Sequence, residues 1–478
     1  MRIPEQGLAA DEVLSRLESY RAHDVTWRDG RTFAYVYDAG EEIEALCKKA
    51  YVSYLSDNAL DPTAFPSLLR LENEVVAMMA SHLNAGEAAV GSFTSGGTES
   101  IFLAVKTARD RFRSMHPGAT RVEMVLPDTA HAAFEKAAYY LDVVPVRVPV
   151  DSQSFEADVP AMAAAVNEFT ALLVGSATGY AHGVVDDITA LGQLALKHDL
   201  LLHVDGCIGG FLLPYFKRLG GVVPDFDFRV PGVTSMSVDL HKYGFAAKGA
   251  SVVLYKDPSL RRFQIYACST WSGYTIVNPT VQSTRSGGPM AGAWAVMHAI
   301  GDDGYLALAR RMFDATRRIL SGIREIEGLK VLGEPHMNLV AVAGEGLGIF
   351  HVADEMKARG WFIQAQLGYR GSPANFHLSI NPKSEQWVDA FLADLRDSVE
   401  AARKLPTGDS AEMVSQMFSG IDASTLTPEM FQSLLQVAGI GGVSLPDRMA
   451  GINEMLDALP AKLREKLLVE YVNQLYKI

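Results

Sequence analysis

Three short stretches of the chain gather residue types that can do covalent chemistry. The first is Ser235-Met236-Ser237-Val238-Asp239-Leu240-His241-Lys242-Tyr243-Gly244, a β-rich run that ends in ionisable groups. A lysine partly desolvated at a strand end has a lowered pKa, and its amine is then free to condense with a carbonyl. The competing reading is a solvated surface lysine, the commoner fate of that residue. The second is His203-Val204-Asp205-Gly206-Cys207-Ile208-Gly209-Gly210-Phe211, where an acid closes an apolar run and glycines follow. Ligands of open α/β sheets collect at such carboxyl ends, and a carboxylate there can hold the proton of a heterocyclic nitrogen. A solvated strand-end Asp satisfies the same pattern. The third, Thr94-Ser95-Gly96-Gly97-Thr98-Glu99-Ser100, leads into the helical run Ile101-Phe102-Leu103-Ala104-Val105. Its glycines let backbone approach a ligand, Thr98 or Ser100 is placed to cap the helix, and the N–H groups there suit a phosphate. An ordinary capped helix start fits as well. Neither a P-loop lysine nor a dinucleotide fingerprint is present, so neither an NTP nor NAD is indicated.

The elements that must position these groups alternate between about 66 and 300. Strands are expected at Val122–Leu126, Val144–Val150, Ala171–Gly175, Leu200–Val204, Val233–Ser237 and Ser251–Tyr255, and helices at Thr98–Arg113 and Ile188–His198. Most of these strands are apolar on both faces, which predicts an α/β fold: a mostly parallel sheet flanked by helices on both sides. Residues 1–65 read as a mainly helical, polar segment, and 66–300 as the large domain that carries all three motifs. Residues 301–405 turn to longer amphipathic helices with a few strands, as in Leu306–Phe313, and predict a smaller C-terminal α+β domain. A break at Leu405-Pro406-Thr407-Gly408 precedes a helical tail, 406–478.

The chain has 478 residues, 48% of them hydrophobic, and a formal net charge of -13 without a basic stripe. Nucleic acid and anionic membrane surfaces are therefore not expected partners. No uninterrupted apolar run reaches bilayer length. Cys47, Cys207 and Cys268 are scattered, so neither a disulfide framework nor a metal cluster is expected, and a reducing cytoplasm fits.

Taken in order, the phosphate loop, the strand-end acid and the later His-Lys pair resemble fold-type-I pyridoxal-phosphate enzymes. The branch is the group II decarboxylase family, shared by amino-acid decarboxylases and sphingosine-1-phosphate lyases. The lyase-like stretches are Thr94–Ser100, Ala130–Ala137, His182–Asp186, His203–Phe211, Phe226–Val230, His241–Gly249 and Pro279-Thr280 with Arg285-Ser286-Gly287-Gly288. They span roughly residues 30 to 400.

The resemblance implies pyridoxal 5'-phosphate held as a Schiff base on Lys242, with Asp205 on the pyridine nitrogen. His131 would stack on one face of the ring and Cys207 lie under the other; decarboxylases of this branch tend to carry alanine there, so cysteine leans toward the lyase. Ser95, Gly96, Gly97, Thr98 and His241 would hold the phosphate. Gly287 and Gly288 would complete that site in the partner subunit of a homodimer. Ser176, Thr178 and Asp186 are expected near the ring edge. Tyr37, Tyr180 and Lys248 would line the substrate side, although a tyrosine between apolar neighbours is usually packing. The implied reaction is a retro-aldol cleavage of sphingosine 1-phosphate or a related small-molecule amine, giving phosphoethanolamine and a long-chain aldehyde, with the general base left open among tyrosine, histidine and the cofactor phosphate.

Some positions depart from the pattern. The family's Asn-Pro-Leu-His-Pro-Asp stretch is here Asn58-Ala59-Leu60-Asp61-Pro62-Thr63, so Asp61 stands where a histidine should meet the substrate phosphate. A carboxylate there would repel it. Arg370 has no family counterpart. It reads as a solvated loop residue or as a carboxylate grip, and the grip would favour the alternative reading, an L-amino-acid decarboxylase.

Overall fold

A computed structural model describes residues 2–405 and 447–476. Its large sheet contains β1 (Val90–Thr94), β2 (Glu123–Pro127), β3 (Val144–Val148), β4 (Thr170–Ser176), β5 (Leu201–Asp205), β6 (Val233–Asp239) and β7 (Ser251–Tyr255). The strand order is β1-β7-β6-β5-β4-β2-β3. Strand β7 runs antiparallel to both β1 and β6, and the remaining pairs are parallel. Strands β2, β4, β5 and β7 are buried along their whole length, which is why their residues are apolar on both faces. Alternate residues feed two separate cores. Val125 and Leu173 pack on one side of the sheet, while Met124, Leu126, Leu172 and Val174 pack on the other. Removing one such side chain, as in Leu173→Ala, costs about 2–5 kcal/mol.

Strand β1 has no counterpart among the expected strands. Its sequence, Val-Gly-Ser-Phe-Thr, is too polar to read as a buried strand. The polar residues are buried because they have partners: Ser92 accepts from Gln264 Nε2 at 2.9 Å, and Thr94 Oγ1 lies 2.6 Å from Ser100 Oγ.

After a short hairpin of β8 (Tyr266–Cys268) and β9 (Ile276–Asn278), the chain enters a long helix, Gly288–Arg324. Gly301 breaks it at φ 62°, ψ 174°, a conformation essentially reserved for glycine. Beyond lies a second sheet of β10 (Leu329–Val331), β11 (Leu339–Gly344), β12 (Gln364–Gln366) and β13 (Asn375–Ser379), ordered β10-β11-β13-β12 and antiparallel throughout. Its core joins Trp361, Phe376, Leu378 and Phe391 with Phe33.

Phe33 corrects the reading of residues 1–65 as a polar helical segment. Helices Ala10–Ser19 and Glu41–Ser53 do form. Between them, however, Thr32 bridges Phe362, and Phe33 is fully buried in the core of the small sheet. The expected tail lies partly outside the described residues, at 406–446 and 477–478. Its described part forms two helices, Ala450–Ala458 and Ala461–Leu475. Asp354 fixes the first by accepting from Met449 N (2.9 Å) and Ala450 N (2.8 Å). No described helix is long and apolar enough to cross a membrane.

Candidate active site

Strands β1, β4, β5 and β6 point the same way, so their carboxyl ends share one edge. Register puts Ser176 beside Asp205 and Asp205 beside Ser237. Strand β7 sets Ser251 against both Thr94 and Asp239. Three motifs far apart in the chain thereby meet within a few strands' width.

Lys242 follows β6 by one short turn. Its Nζ lies 3.0 Å from Asp239 Oδ2, and the two side chains are 21% and 2% exposed. Burial works against the ammonium, as expected, but the neighbouring acids, Asp239 foremost, outweigh it. The amine is thus held above its ordinary pKa, the reverse of the lowering anticipated from desolvation alone. Asp239 is the residue that sequence reasoning missed. It stands inside a quoted motif, but nothing in the sequence shows that a strand-end acid three residues upstream folds back onto the lysine. Its other oxygen, Oδ1, is buried without a hydrogen-bond partner among the described residues.

Asp205 is buried, and its Oδ1 accepts from Cys207 N at 3.0 Å and Ser237 Oγ at 3.3 Å. Cys207 is fully enclosed; its Sγ meets Ser237 Oγ at 3.2 Å, and burial pushes the thiol well up. Gly97 is obligatory here, because a Cβ would sit 2.7 Å from Cys207 Sγ and 2.9 Å from the Asp239 carboxylate.

The phosphate loop differs from expectation in its cap. Neither Thr98 nor Ser100 caps the helix. It runs Gly97–Met115 from Gly96 with no side-chain cap, which leaves N–H groups of the first turn for an anion. Ser100 is instead buried between Thr94 and Ser251. Ser95 is also committed: its N–H and hydroxyl both donate to Glu99 Oε2, at 2.7 and 2.8 Å. His241 borders the loop, with Cε1 3.5 Å from where a Gly96 Cβ would lie.

Other candidates are placed as follows. His131 is exposed, its Nδ1 accepting from Ala133 N. Asp186 is committed to its own strand end: its carboxylate accepts from Ser176 N (2.7 Å) and Ala157 N (2.8 Å), and burial raises its pKa to about 7. Thr178 is likewise committed, to Met337 Sδ, while Ser176 Oγ is buried without a partner among the described residues. Gly287 and Gly288 pack on Tyr54, Leu68 and Tyr51 of the same chain. Asn58 Oδ1 holds the adjoining turn through Leu60 N and Arg285 N. Asp61 is exposed and closes its own turn by accepting from Thr63 N and Oγ1.

Arg370 is neither free in solvent nor open to a substrate carboxylate. Its Nη1 clasps both oxygens of Asp128, at 2.5 and 2.7 Å, and so ties the β12–β13 connection to the loop that carries His131. This clasp borders a cavity of about 480 Å³ lined also by His131, Tyr180, His182 and Ser372. A second cavity, about 330 Å³, opens beside Tyr37, His241 and Lys248 and is walled by Val36, Ile43 and Phe245. Tyr37 packs edge-on to Tyr243 at 5.0 Å, and Lys248 Nζ lies 4.6 Å over its ring. Desolvation, then repulsion from Lys242, draws the Lys248 ammonium down to about 8.

The fold and this edge define a class. The profile of the pyridoxal-dependent decarboxylase conserved domain matches residues 2–343, and the chain belongs to that family. A second profile, the C-terminal putative HTH domain of pyridoxal-dependent enzymes, matches residues 411–474. The chain is 43% identical to the sphingosine-1-phosphate lyase of Arabidopsis thaliana, over 84% of its own length and 74% of that protein. To sphingosine-1-phosphate lyase 1 of Rattus norvegicus it is 37% identical, over 86% and 72%. Among solved structures, the sphingosine-1-phosphate lyase of Burkholderia pseudomallei superimposes with a TM-score of 0.81 at 35% identity, covering 88% of this chain and 96% of that one. Pyridoxal 5'-phosphate is the cofactor, and the residues present fit it: a buried amine, an acid on the adjacent strand, and an uncapped helix start for the phosphate.

Proposed function

We propose that the chain is a carbon–carbon lyase that cleaves sphingosine 1-phosphate, or a related phosphorylated long-chain base, to phosphoethanolamine and a fatty aldehyde. The reading is carried by the buried Lys242 set among Asp239, Asp205 and Cys207, in a chain similar to such lyases through most of its length. When bound, pyridoxal phosphate supplies an aldehyde for amines and a ring that accepts the electrons released as the Cα–Cβ bond breaks. The protein's part is to place amines and protons. Lys242 must shed a proton before it can act as a nucleophile, and Asp239 Oδ2, 3.0 Å away, holds the ammonium in place until that proton leaves. Asp205 would hold a proton on the ring nitrogen. Backbone N–H groups at Gly96–Thr98, with His241, would bind the phosphate. His131 and Cys207 would lie on either side of the ring.

Tyr37, Tyr180 and Lys248 line the approach, and Lys248 exchanges its proton close to neutral pH. The apolar cleft beside Tyr37 receives hydrocarbon. Asp61, turned into its own loop, does not oppose the substrate phosphate within this chain. We take 66–300 as the cofactor-binding domain and 301–405 as the small one, with a homodimer in the cytoplasm in which Gly287 and Gly288 serve the phosphate site of a second copy. Incubation with sphingosine 1-phosphate and mass spectrometry of the products tests the reading. Phosphoethanolamine and an aldehyde are expected. Carbon dioxide released from an amino acid, with no aldehyde, would overturn it in favour of a decarboxylase.

A further inference from the structure

Strand β13 buries the wrong face for an ordinary sheet. Phe376 and Leu378 enter the apolar core of the small sheet, while the alternate residues Asn375, His377 and Ser379 are only 2%, 0% and 1% exposed. Register places Gln364 and Gln366 of β12 opposite His377 and Asn375, on that same polar face. Burial of neutral polar groups is costly unless they are paired, and here pairing is incomplete. Among the described residues, both ring nitrogens of His377, Asn375 Oδ1 and Ser379 Oγ make no hydrogen bond of good geometry, nor do Asn338 Oδ1 and the Tyr243 hydroxyl, although Ser379 lies near enough to the Tyr180 and Tyr243 hydroxyls, and Asn338 to that of Tyr243, to lower their pKa values. A face maintained at that cost calls for a role.

What the face holds is Tyr180. The Tyr180 hydroxyl donates to Gln364 Oε1 at 2.6 Å, and its ring lies 4.5 Å from the His377 ring. The same β12–β13 hairpin secures the flanking loops, through His182 Nε2 to Ser372 Oγ at 2.9 Å and through the Arg370–Asp128 clasp. A phenol has one proton to give. With that proton committed to Gln364, the oxygen can accept a hydrogen bond from a ligand but cannot donate one.

We propose that Gln364 is a positioning residue that holds Tyr180 in place and fixes its hydroxyl as a hydrogen-bond acceptor toward the substrate. A substrate group that donates, such as an amine or the β-hydroxyl of a long-chain base, is then selected over one that only accepts. Burial, which pushes the Tyr180 phenol up, keeps the proton on it across the neutral range. The inference rests on Tyr180 as a residue of the proposed site.

The test uses the cofactor-loaded, full-length protein with Gln364→Leu, Gln364→Glu, Tyr180→Phe and the double variant Gln364→Leu/Tyr180→Phe. With sphingosine 1-phosphate, Gln364→Leu is expected to lower kcat on the order of tenfold, equivalent to the loss of one hydrogen bond. KM should move far less. Gln364→Glu keeps the acceptor and should restore turnover, and the double variant should be no slower than Tyr180→Phe. An equal loss from Gln364→Leu in the Tyr180→Phe background would overturn the proposal. Hydrogen exchange across 178–186 decides independently of substrate. Exchange should quicken in Gln364→Leu and stay unchanged in Gln364→Glu; protection unaltered in both would overturn the proposal even if the lyase reading itself failed.

Discussion

Two regions of this protein bury polar groups, and they do so in opposite ways. At the carboxyl edge of the large sheet the buried ions have a counter-ion or a donor, Lys242 on Asp239 and Asp205 on Cys207 N and Ser237, although Asp239 Oδ1 and the neutral Ser176 Oγ have no partner among the described residues. On the inner face of β12–β13 the groups are neutral, and several make no hydrogen bond of good geometry among the described residues. Charge cannot be left unpaired in a dry place, because the penalty exceeds what a fold can absorb, whereas an unpaired amide or imidazole costs only a few kcal/mol. The edge is therefore organised for chemistry by pairing its ions. The inner face is organised for positioning, and tolerates imperfection.

The sharpest way to break the contrast is at its covalent centre. Lys242→Ala should abolish all borohydride-trapped cofactor, read by intact-protein mass spectrometry, with no turnover remaining; label retained elsewhere in the chain would displace the edge from its role. Next in size, Asp239→Ala in cofactor-free protein leaves the Lys242 ammonium without its partner. A loss of about 3–5 kcal/mol in urea unfolding is expected, shrinking sharply in a Lys242→Met background. Because Lys242 is held above its unfolded value, the pair's contribution is present below about pH 10 and disappears only as pH rises beyond it.

Acid should find the neutral groups first. Burial lowers the pKa of His182 and His203 to about 4 and of His377 to about 3, and draws His82, His241 and His336 down as well, so below about pH 6.5 the unfolded chain takes up protons that the folded one refuses. Asp186, raised to about 7, works the other way by binding one proton when folded. The balance predicts stability falling as pH drops below about 6.5, by about 1.4 kcal/mol per pH unit for each proton refused in full. His377→Gln should make that fall shallower, as measured by urea midpoints across pH. The smallest effect is expected at Arg370→Ala. Its guanidinium is half exposed, so losing the clasp should cost at most about 1 kcal/mol, and turnover should fall by less than in Gln364→Leu. A collapse of kcat/KM for an amino acid would return Arg370 to the grip it was first offered as.

Much of the large sheet could be read directly, because strands buried on both faces become apolar runs and each motif sits at the end of one. Strand β1 could not, because its Ser92 and Thr94 are buried by partners more than 150 positions away and by a helix not yet placed. Gln364 and His377 were equally hidden, as was the Asp128 partner of Arg370. A polar residue alternating with apolar ones reads as solvent-facing, and only the approach of a second sheet makes that face internal. Glu99 shows a related failure: four residues from Ser95, it takes both of that residue's donors, which the family resemblance had assigned to a phosphate.

By itself, then, the sequence determined the family and the cofactor, and it singled out Lys242 and Asp205 as the residues whose type and strand-end position suit that cofactor's chemistry. Local patterns suffice there, since a strand carries its last residue to the sheet's edge wherever the sheet lies. Tertiary structure alone decided which acid meets Lys242, which face of the small sheet is dry, and what Arg370 and Ser95 hold. Those are contacts between segments distant in the chain, and their geometry is fixed by packing rather than by any run of neighbouring residues.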